Sequence, residues 1–170
     1  MKTVVPMRKR SKYRPKGLIL NPVGYVMESM TPIAKHGSFL IDLKIKNHLA
    51  MSRLTRGQAN RDDIEKLMAV INVVEALHRM GFGREYKDVV NGGLDALQAV
   101  GKRGATTGRF ILRAQEMMAL NTMMELHDAQ MDIITVKDLE KAVAIVEAEF
   151  RAGRMRTIVE KKNERAESAT

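Results

Sequence analysis

The sequence predicts an all-α protein of five or six helices, packed as an orthogonal or mixed bundle, with an extended basic arm at its N-terminus. Aromatic residues make up 4% of the chain and Trp is absent, whereas Met occurs 13 times. Because strands favour aromatic and β-branched residues, a core of Leu, Ile, Val, Ala and Met indicates helices. The 45% hydrophobic and 29% charged residues are typical of a folded chain, and 170 residues suit one domain.

The positive charge is concentrated at the N-terminus. Residues 1–17 contain seven Lys and Arg and no acid, which accounts for seven of the net +9. The rest of the chain is nearly neutral, with 22 basic and 20 acidic side chains. We therefore divide the chain into a basic flexible arm over 1–17, a helical domain over 18–152, and a basic, fraying helix end over 153–170.

The first two helices follow the arm. Asn21 and Pro22 supply a typical cap and first residue for a short helix that ends at Met30. The segment 38–56 has helical periodicity in its second half. Its first part, 38–46, alternates apolar and polar residues, so either a short strand or a helix is compatible with it.

The third and fourth helices have clearer apolar faces. Asn60 caps a helix whose apolar positions recur at helical spacing as far as Met80. A fourth helix is expected over about 84–100. Gly92 and Gly93 lie in its middle, where each costs roughly 1 kcal/mol relative to Ala, so we expect a kink or a close approach of another backbone there.

A glycine-rich loop over 101–108 is expected to precede the fifth helix, which we assign to about 109–132. That helix is apolar on more than one face, so we place it at the centre of the bundle. Thr135 is expected to cap the last helix. Its inward stripe comprises Leu139, Ala142, Val143, Val146 and Phe150.

The arm is the first candidate for a binding site. Its lysines and arginines can neutralise nucleic-acid phosphates, its proline favours an extended backbone, and its tyrosine can stack on an exposed base. A solubilising tail is the alternative interpretation. The candidate nucleic-acid-binding residues of the arm are Arg8, Lys9, Arg10, Lys12, Tyr13, Arg14 and Lys16.

The loop over 101–108 is the second candidate. Lys102, Arg103 and Arg109 surround the expected start of the fifth helix, where unpaired backbone N–H groups attract phosphate. The order of residues is not that of a P-loop. The alternative is a flexible turn between helices with Thr107 as a helix cap.

Two Met-Met pairs on the fifth helix form a third candidate. Met117, Met118, Met123 and Met124 could present an adaptable surface to a host protein, a phage protein or a second copy of the chain. Ordinary core packing is the alternative for these side chains.

Catalytic and metal sites are not indicated. The chain has no cysteine and no nucleophile-elbow pattern, and its histidines lack a triad-like grouping, so we expect neither catalysis nor a cofactor. Glu75 and His78 have the spacing found in di-iron bundles, but those bundles need a second such unit. Glu125 and His127 are only two positions apart, which is not the spacing of a second di-iron unit.

Several segments resemble small conserved proteins encoded by phages and prophages of proteobacteria. These are Lys12 to Lys16, Met27 to Met30, Lys44 to Ala50, Gly101 to Arg109 and Glu125 to Gln130. The resemblance implies a phage setting and transfers no residue roles. Together with the arm it favours a non-enzymatic, nucleic-acid-associated accessory or regulatory protein in the host cytoplasm. The alternative is a protein-interaction module or inhibitor that acts through the Met-rich helix.

Overall fold

The computed structural model describes residues 22–154, and in this part of the chain it is all-α, as predicted. No strand forms there, although Pro32 and Thr135 make an isolated β-bridge. Two three-residue 3-10 helices, Ile33–Lys35 and Arg84–Tyr86, precede α2 and α4. The six α-helices are α1 (Pro22–Ser29), α2 (Gly37–Thr55), α3 (Arg61–Met80), α4 (Lys87–Thr107), α5 (Ala114–Ile133) and α6 (Val136–Arg151).

Helix α5 runs antiparallel to both α2 and α4. On the α2 side, Lys44 pairs with Asp132, and one turn later His48 bonds Asp128. On the α4 side, the arrangement is fixed by an ion pair between Arg103 and Glu116 near the start of α5. Because short connections join α2 to α3 and α3 to α4, the four helices α2–α5 form a compact bundle.

Helix α3 lies at the centre, so the central position predicted for the 109–132 helix is wrong. It packs against α2, α4, α5 and α6. Ten of its residues are buried, against seven in α5. Helix α5 is apolar on several faces because it contacts α2, α3 and α4 while leaving Met118 and Ile133 exposed.

The predicted helix caps at Asn60 and Thr135 are confirmed. The Asn60 side chain accepts from the backbone N–H of Asp63 at 2.9 Å, and the Asp63 carboxylate accepts from the N–H of Asn60 at 3.2 Å. Thr135 and Asp138 repeat this reciprocal arrangement at the start of α6. Both caps satisfy N–H groups that a helix leaves unpaired.

The ambiguous segment 38–46 is helical and belongs to α2. Of the alternating apolar residues, Phe39, Ile41 and Ile45 are exposed, whereas Leu43 is partly buried against the core. The period-2 pattern therefore reflects apolar residues on two faces of one helix.

The predicted loop over 101–108 is wrong, because α4 continues through Thr107. Gly101 and Gly104 are buried inside this last part of the helix. A methyl group at Gly104 would collide with the ring of Phe110, so the glycine makes room for that ring. Close packing thus offsets the low helix propensity of the glycines. Helix α5 consequently begins at Ala114, and Gly108 with a φ of 71° ends α4 in place of the predicted Thr107 cap.

In place of the kink or close backbone approach predicted at Gly92 and Gly93, the side chain of Met123 lies close to Gly93. A methyl group there would lie 2.9 Å from Cβ of Met123, whereas one at Gly92 would meet nothing within 4 Å. Helix α4 is continuous through both glycines. Gly93 therefore lets α4 and α5 pack at short range.

The inward stripe predicted for α6 is partly wrong. Ala142 is fully buried, and Leu139 and Val146 are partly buried against α3 and the first 3-10 helix. Val143 and Phe150 are exposed. Helix α6 therefore contacts the bundle along a narrower face than its sequence suggests.

The predicted arm over 1–17 and most of the predicted C-terminal segment 153–170 lie outside the described residues. Within residues 22–154, no helix has the length and hydrophobicity needed to span a membrane.

Candidate nucleic-acid interface

Four helix ends meet at one end of the bundle. Helix α2 ends there and α3 begins after a short connection, while α4 ends and α5 begins after another. The ion pair between Arg53 of α2 and Asp63 of α3, at 3.2 Å, and that between Arg103 of α4 and Glu116 of α5 join these ends.

Four exposed cations at this end form no ion pair with any described residue. Arg56 follows α2, Lys102 lies in the last turns of α4, and Arg109 and Arg113 belong to the connection between α4 and α5. We call these four residues the basic end. Arg56, Lys102 and Arg109 have no carboxylate partner among the described residues, whereas the charge of Arg113 helps to lower the pKa of nearby Glu116.

Other cations nearby are already compensated. Arg53 pairs with Asp63, and Arg61 pairs with Glu65 at 2.8 Å. Asp62 is exposed in the first turn of α3 and offsets part of the positive charge. The local excess of positive charge therefore comes from the four residues of the basic end.

Arg103 does not fit its predicted role as a phosphate ligand. Its Nη1 donates to Oε1 of Glu116 at 2.9 Å, and its Nη2 donates to the carbonyl oxygen of Ile111 at 2.7 Å. Burial acts to raise the pKa of Glu116, but bonds from Arg103 and from the backbone of Arg113 outweigh it and hold that pKa below its usual value. Arg103 thus fixes the connection between α4 and α5.

The phosphate cradle predicted at a helix start near residue 109 is also displaced. Helix α5 begins five residues later, and its first turn is occupied by the carboxylate of Glu116, which accepts from the backbone N–H of Arg113 at 2.8 Å. This internal anion takes the position that an external phosphate would need. The negative charge of Glu116 therefore makes the start of α5 a poor site for a second anion.

The basic end retains two of the predicted residues and adds two. Lys102 and Arg109 are exposed as expected, whereas Arg56 and Arg113 were not singled out from the sequence. Arg56 and Arg113 are 57 positions apart in the sequence, and sequence spacing alone does not place them at the same end of the bundle.

The predicted arm residues Arg8, Lys9, Arg10, Lys12, Tyr13, Arg14 and Lys16 lie outside the described part of the chain.

The Met-rich surface is smaller than predicted. Met123 and Met124 are core residues, so they cannot contact a partner while the bundle is closed. Met117 is partly buried, and Met118 is 68% exposed beside a shallow groove between α4 and α5. For the second Met-Met pair, the interpretation as ordinary core is correct.

Glu75 and His78, which were considered for metal binding, each contact another residue. Glu75 pairs with Arg79 at 2.7 Å, and the ring of His78 lies 3.3 Å from the carbonyl oxygen of Arg84. Between residues 22 and 154, no group of three or more potential ligands is arranged to hold a metal ion.

A polar chain does link α2 to α5. Asp128 bonds exposed His48 at 2.8 Å and buried His127 at 3.3 Å. Burial, the largest effect, lowers the pKa of His127, although Asp128 opposes it. The pair from Lys44 to Asp132 lies one turn away. These contacts join two helices around His127.

Comparison with protein-family models, curated proteins and solved structures gives no significant match to this chain.

Proposed function

We propose that the protein is a non-enzymatic, nucleic-acid-binding accessory or regulatory protein that contacts the phosphate backbone. The observation that carries the proposal is the concentration of seven cations and no acid in residues 1–17. The resemblance of several sequence segments to phage and prophage proteins supports the proposal that the protein acts in a phage-infected host cell.

The basic end supports the proposal as a second contact. Arg56 follows α2, Lys102 lies near the end of α4, and Arg109 and Arg113 lie in the connection from α4 to α5; none of the four forms an ion pair within 4 Å with a described residue. Lysine and arginine at such positions bind phosphates without reading base sequence. The arm would supply most of the affinity, and the basic end would orient the helical body on the nucleic acid.

Salt dependence provides the first test. Each phosphate neutralised on duplex DNA contributes about −0.9 to the slope of log K against log salt, and on a single strand about −0.7. Seven arm contacts would therefore give a slope of about −6 on duplex DNA. Fluorescence anisotropy with labelled duplex DNA, single-stranded DNA and RNA, each from 50 to 300 mM salt, measures this slope and ranks the three substrates.

Substitutions separate the two contacts. Replacing the six cations of the arm between residues 8 and 16 by Gln should reduce the duplex slope by about 5 and weaken binding at low salt at least 100-fold. The triple variant Lys102→Gln, Arg109→Gln, Arg113→Gln should reduce the slope by up to about 3.

A charge-matched control lies elsewhere on the molecule. Lys35, Lys137 and Lys141 are exposed and form no ion pair with a described residue, so their replacement by Gln removes the same charge from another surface. This control should keep the wild-type slope. Equal effects of the two triple variants would eliminate the basic end as a contact. Unchanged binding after loss of the arm cations would overturn the proposal itself.

A further inference from the structure

Helix α2 presents an apolar stripe to solvent. Ile41, Ile45 and Leu49 are 58%, 59% and 49% exposed, and they follow one another at intervals of four residues. Residues spaced in this way lie along one face of a helix. The opposite face of α2 is the one packed into the bundle, and its buried residues are Leu40, Asn47, Ala50, Met51 and Leu54.

An apolar stripe on the solvent-facing side is unusual for a surface helix. Such a helix normally has charged and polar residues opposite its core face. In α2 the centre of the outward face is occupied by two isoleucines and a leucine, whose exposure to water is unfavourable. A helix that is apolar on both faces is stabilised when a second surface covers the outer one.

Charges along the stripe favour a second copy of the chain as that surface. Asp42 and Lys46 lie on one flank, one turn apart, and neither forms an ion pair with a described residue. The other flank carries Lys44 and His48, which already bond Asp132 and Asp128 of α5. The first flank thus offers one free acid and one free base, and the second flank offers no uncompensated acid.

Two-fold symmetry makes the first flank complementary to itself. When two α2 helices lie antiparallel about an axis beside Ile45, Ile41 of each faces Leu49 of the second copy. The same flank of each helix then meets its counterpart, which places Asp42 about 3 Å along the axis from Lys46 of the second copy. A lysine side chain spans that offset, so two equivalent ion pairs border the apolar contact.

A parallel arrangement lacks this complementarity. There the flank with Asp42 and Lys46 would face the flank with Lys44 and His48, so Lys46 would have no acidic residue of the second α2 opposite it. We therefore propose that the protein self-associates as an antiparallel two-fold dimer through the α2 stripe of Ile41, Ile45 and Leu49, bordered by pairs between Asp42 and Lys46. This proposal is independent of nucleic-acid binding.

The oligomeric state of the full chain tests the proposal. Sedimentation velocity over about 1 to 200 μM should show a mass that rises toward twice that of the monomer. Ile45→Glu places two carboxylates at the axis and should raise the dimer dissociation constant at least about 10-fold. Met118→Glu introduces the same charge at an exposed apolar position of α5 and should leave self-association unchanged.

Charge reversal tests the antiparallel pairing of Asp42 with Lys46 of the second copy. Asp42→Lys or Lys46→Asp alone puts like charges opposite each other and should weaken the dimer about 5-fold. The double variant restores opposite charges and should return the dissociation constant to the wild-type value.

Each result decides the matter once circular dichroism confirms that the variants are folded. A monomer at every concentration overturns the proposal, as does a dimer that resists Ile45→Glu. A dimer weakened by both single reversals and not restored by the double variant rejects the antiparallel pairing.

Discussion

At the scale of single residues, Gly93 has a measurable packing role. A methyl group at this position would lie 2.9 Å from Cβ of Met123, an atom that moves only with the backbone of α5. Gly93→Ala should therefore destabilise the protein by about 1 to 3 kcal/mol, although Ala is the better helix former. Urea unfolding followed by circular dichroism measures the change.

Gly92 is the matched control for that substitution. A methyl group at Gly92 meets no atom within 4 Å, so Gly92→Ala should gain helix propensity without a clash. We expect it to stabilise the protein by up to about 1 kcal/mol. Equal effects at the two glycines would show that α4 and α5 are not packed as closely as described.

His127 should make stability depend on pH. Burial holds its pKa below the ordinary value in the folded protein, with smaller lowering effects from His48 and Lys44 of α2, and with Asp128 acting in the opposite direction. The unfolded chain therefore takes up a proton first as the pH falls through about 6.5. Folding stability should be greatest above that pH and should decline until the lower pKa of the folded state is reached.

The variant His127→Gln removes this titration. Relative to its own stability at pH 8, it should lose less than the wild type when the pH falls to 5.5, as measured by urea unfolding at each pH. An identical decline in both proteins would assign the pH dependence to other groups.

At the scale of helices, the cap of α3 is the clearest test of local sequence signals. Asn60→Ala removes the acceptor for the N–H of Asp63, and should cost about 0.5 to 2 kcal/mol. Asn60→Ser keeps a capping oxygen and should recover most of the loss. Thermal unfolding compares the two variants, and equal losses would argue that the side-chain cap is unimportant.

Helix identity was predictable wherever the signal is local. The caps at Asn60 and Thr135 and the apolar face of α3 depend on residues a few positions apart, and these predictions are confirmed. The loop prediction at 101–108 failed because propensity alone cannot detect that Gly104 leaves room for Phe110. Hydroxyls of Thr106 and Thr107 also bond carbonyl oxygens one turn back, at 2.7 and 2.8 Å, within the continuing helix.

The residues of the candidate interface were predictable only in part, because tertiary contacts decide which cations remain unpaired. Lys102 and Arg109 were identified because they are close in sequence to each other. Arg103 is neutralised by an ion pair with Glu116, thirteen residues away in the sequence. Arg56 belongs to the basic end only because α2 packs with its last turn at that end of the bundle. Such contacts depend on tertiary structure, which sequence spacing does not reveal.

At the scale of the whole molecule, stability should be distributed unevenly. Helix α3 contacts four other helices, whereas α6 contains a single fully buried residue, Ala142. Hydrogen exchange measured by mass spectrometry should show the slowest amides in α3 and α4 and faster exchange in α6. Equal protection of α6 and α3 would contradict this distribution.

The tight junction between α4 and α5 has a consequence for the order of folding. Contact of Phe110 with Gly104 and of Arg103 with Glu116 closes small loops, whose entropic cost is low. Contacts of this kind form early, whereas the contact of Lys44 with Asp132 joins residues 88 positions apart, about half of the chain. We therefore expect the α4–α5 hairpin to act as the folding nucleus, onto which α3 and then the outer helices assemble.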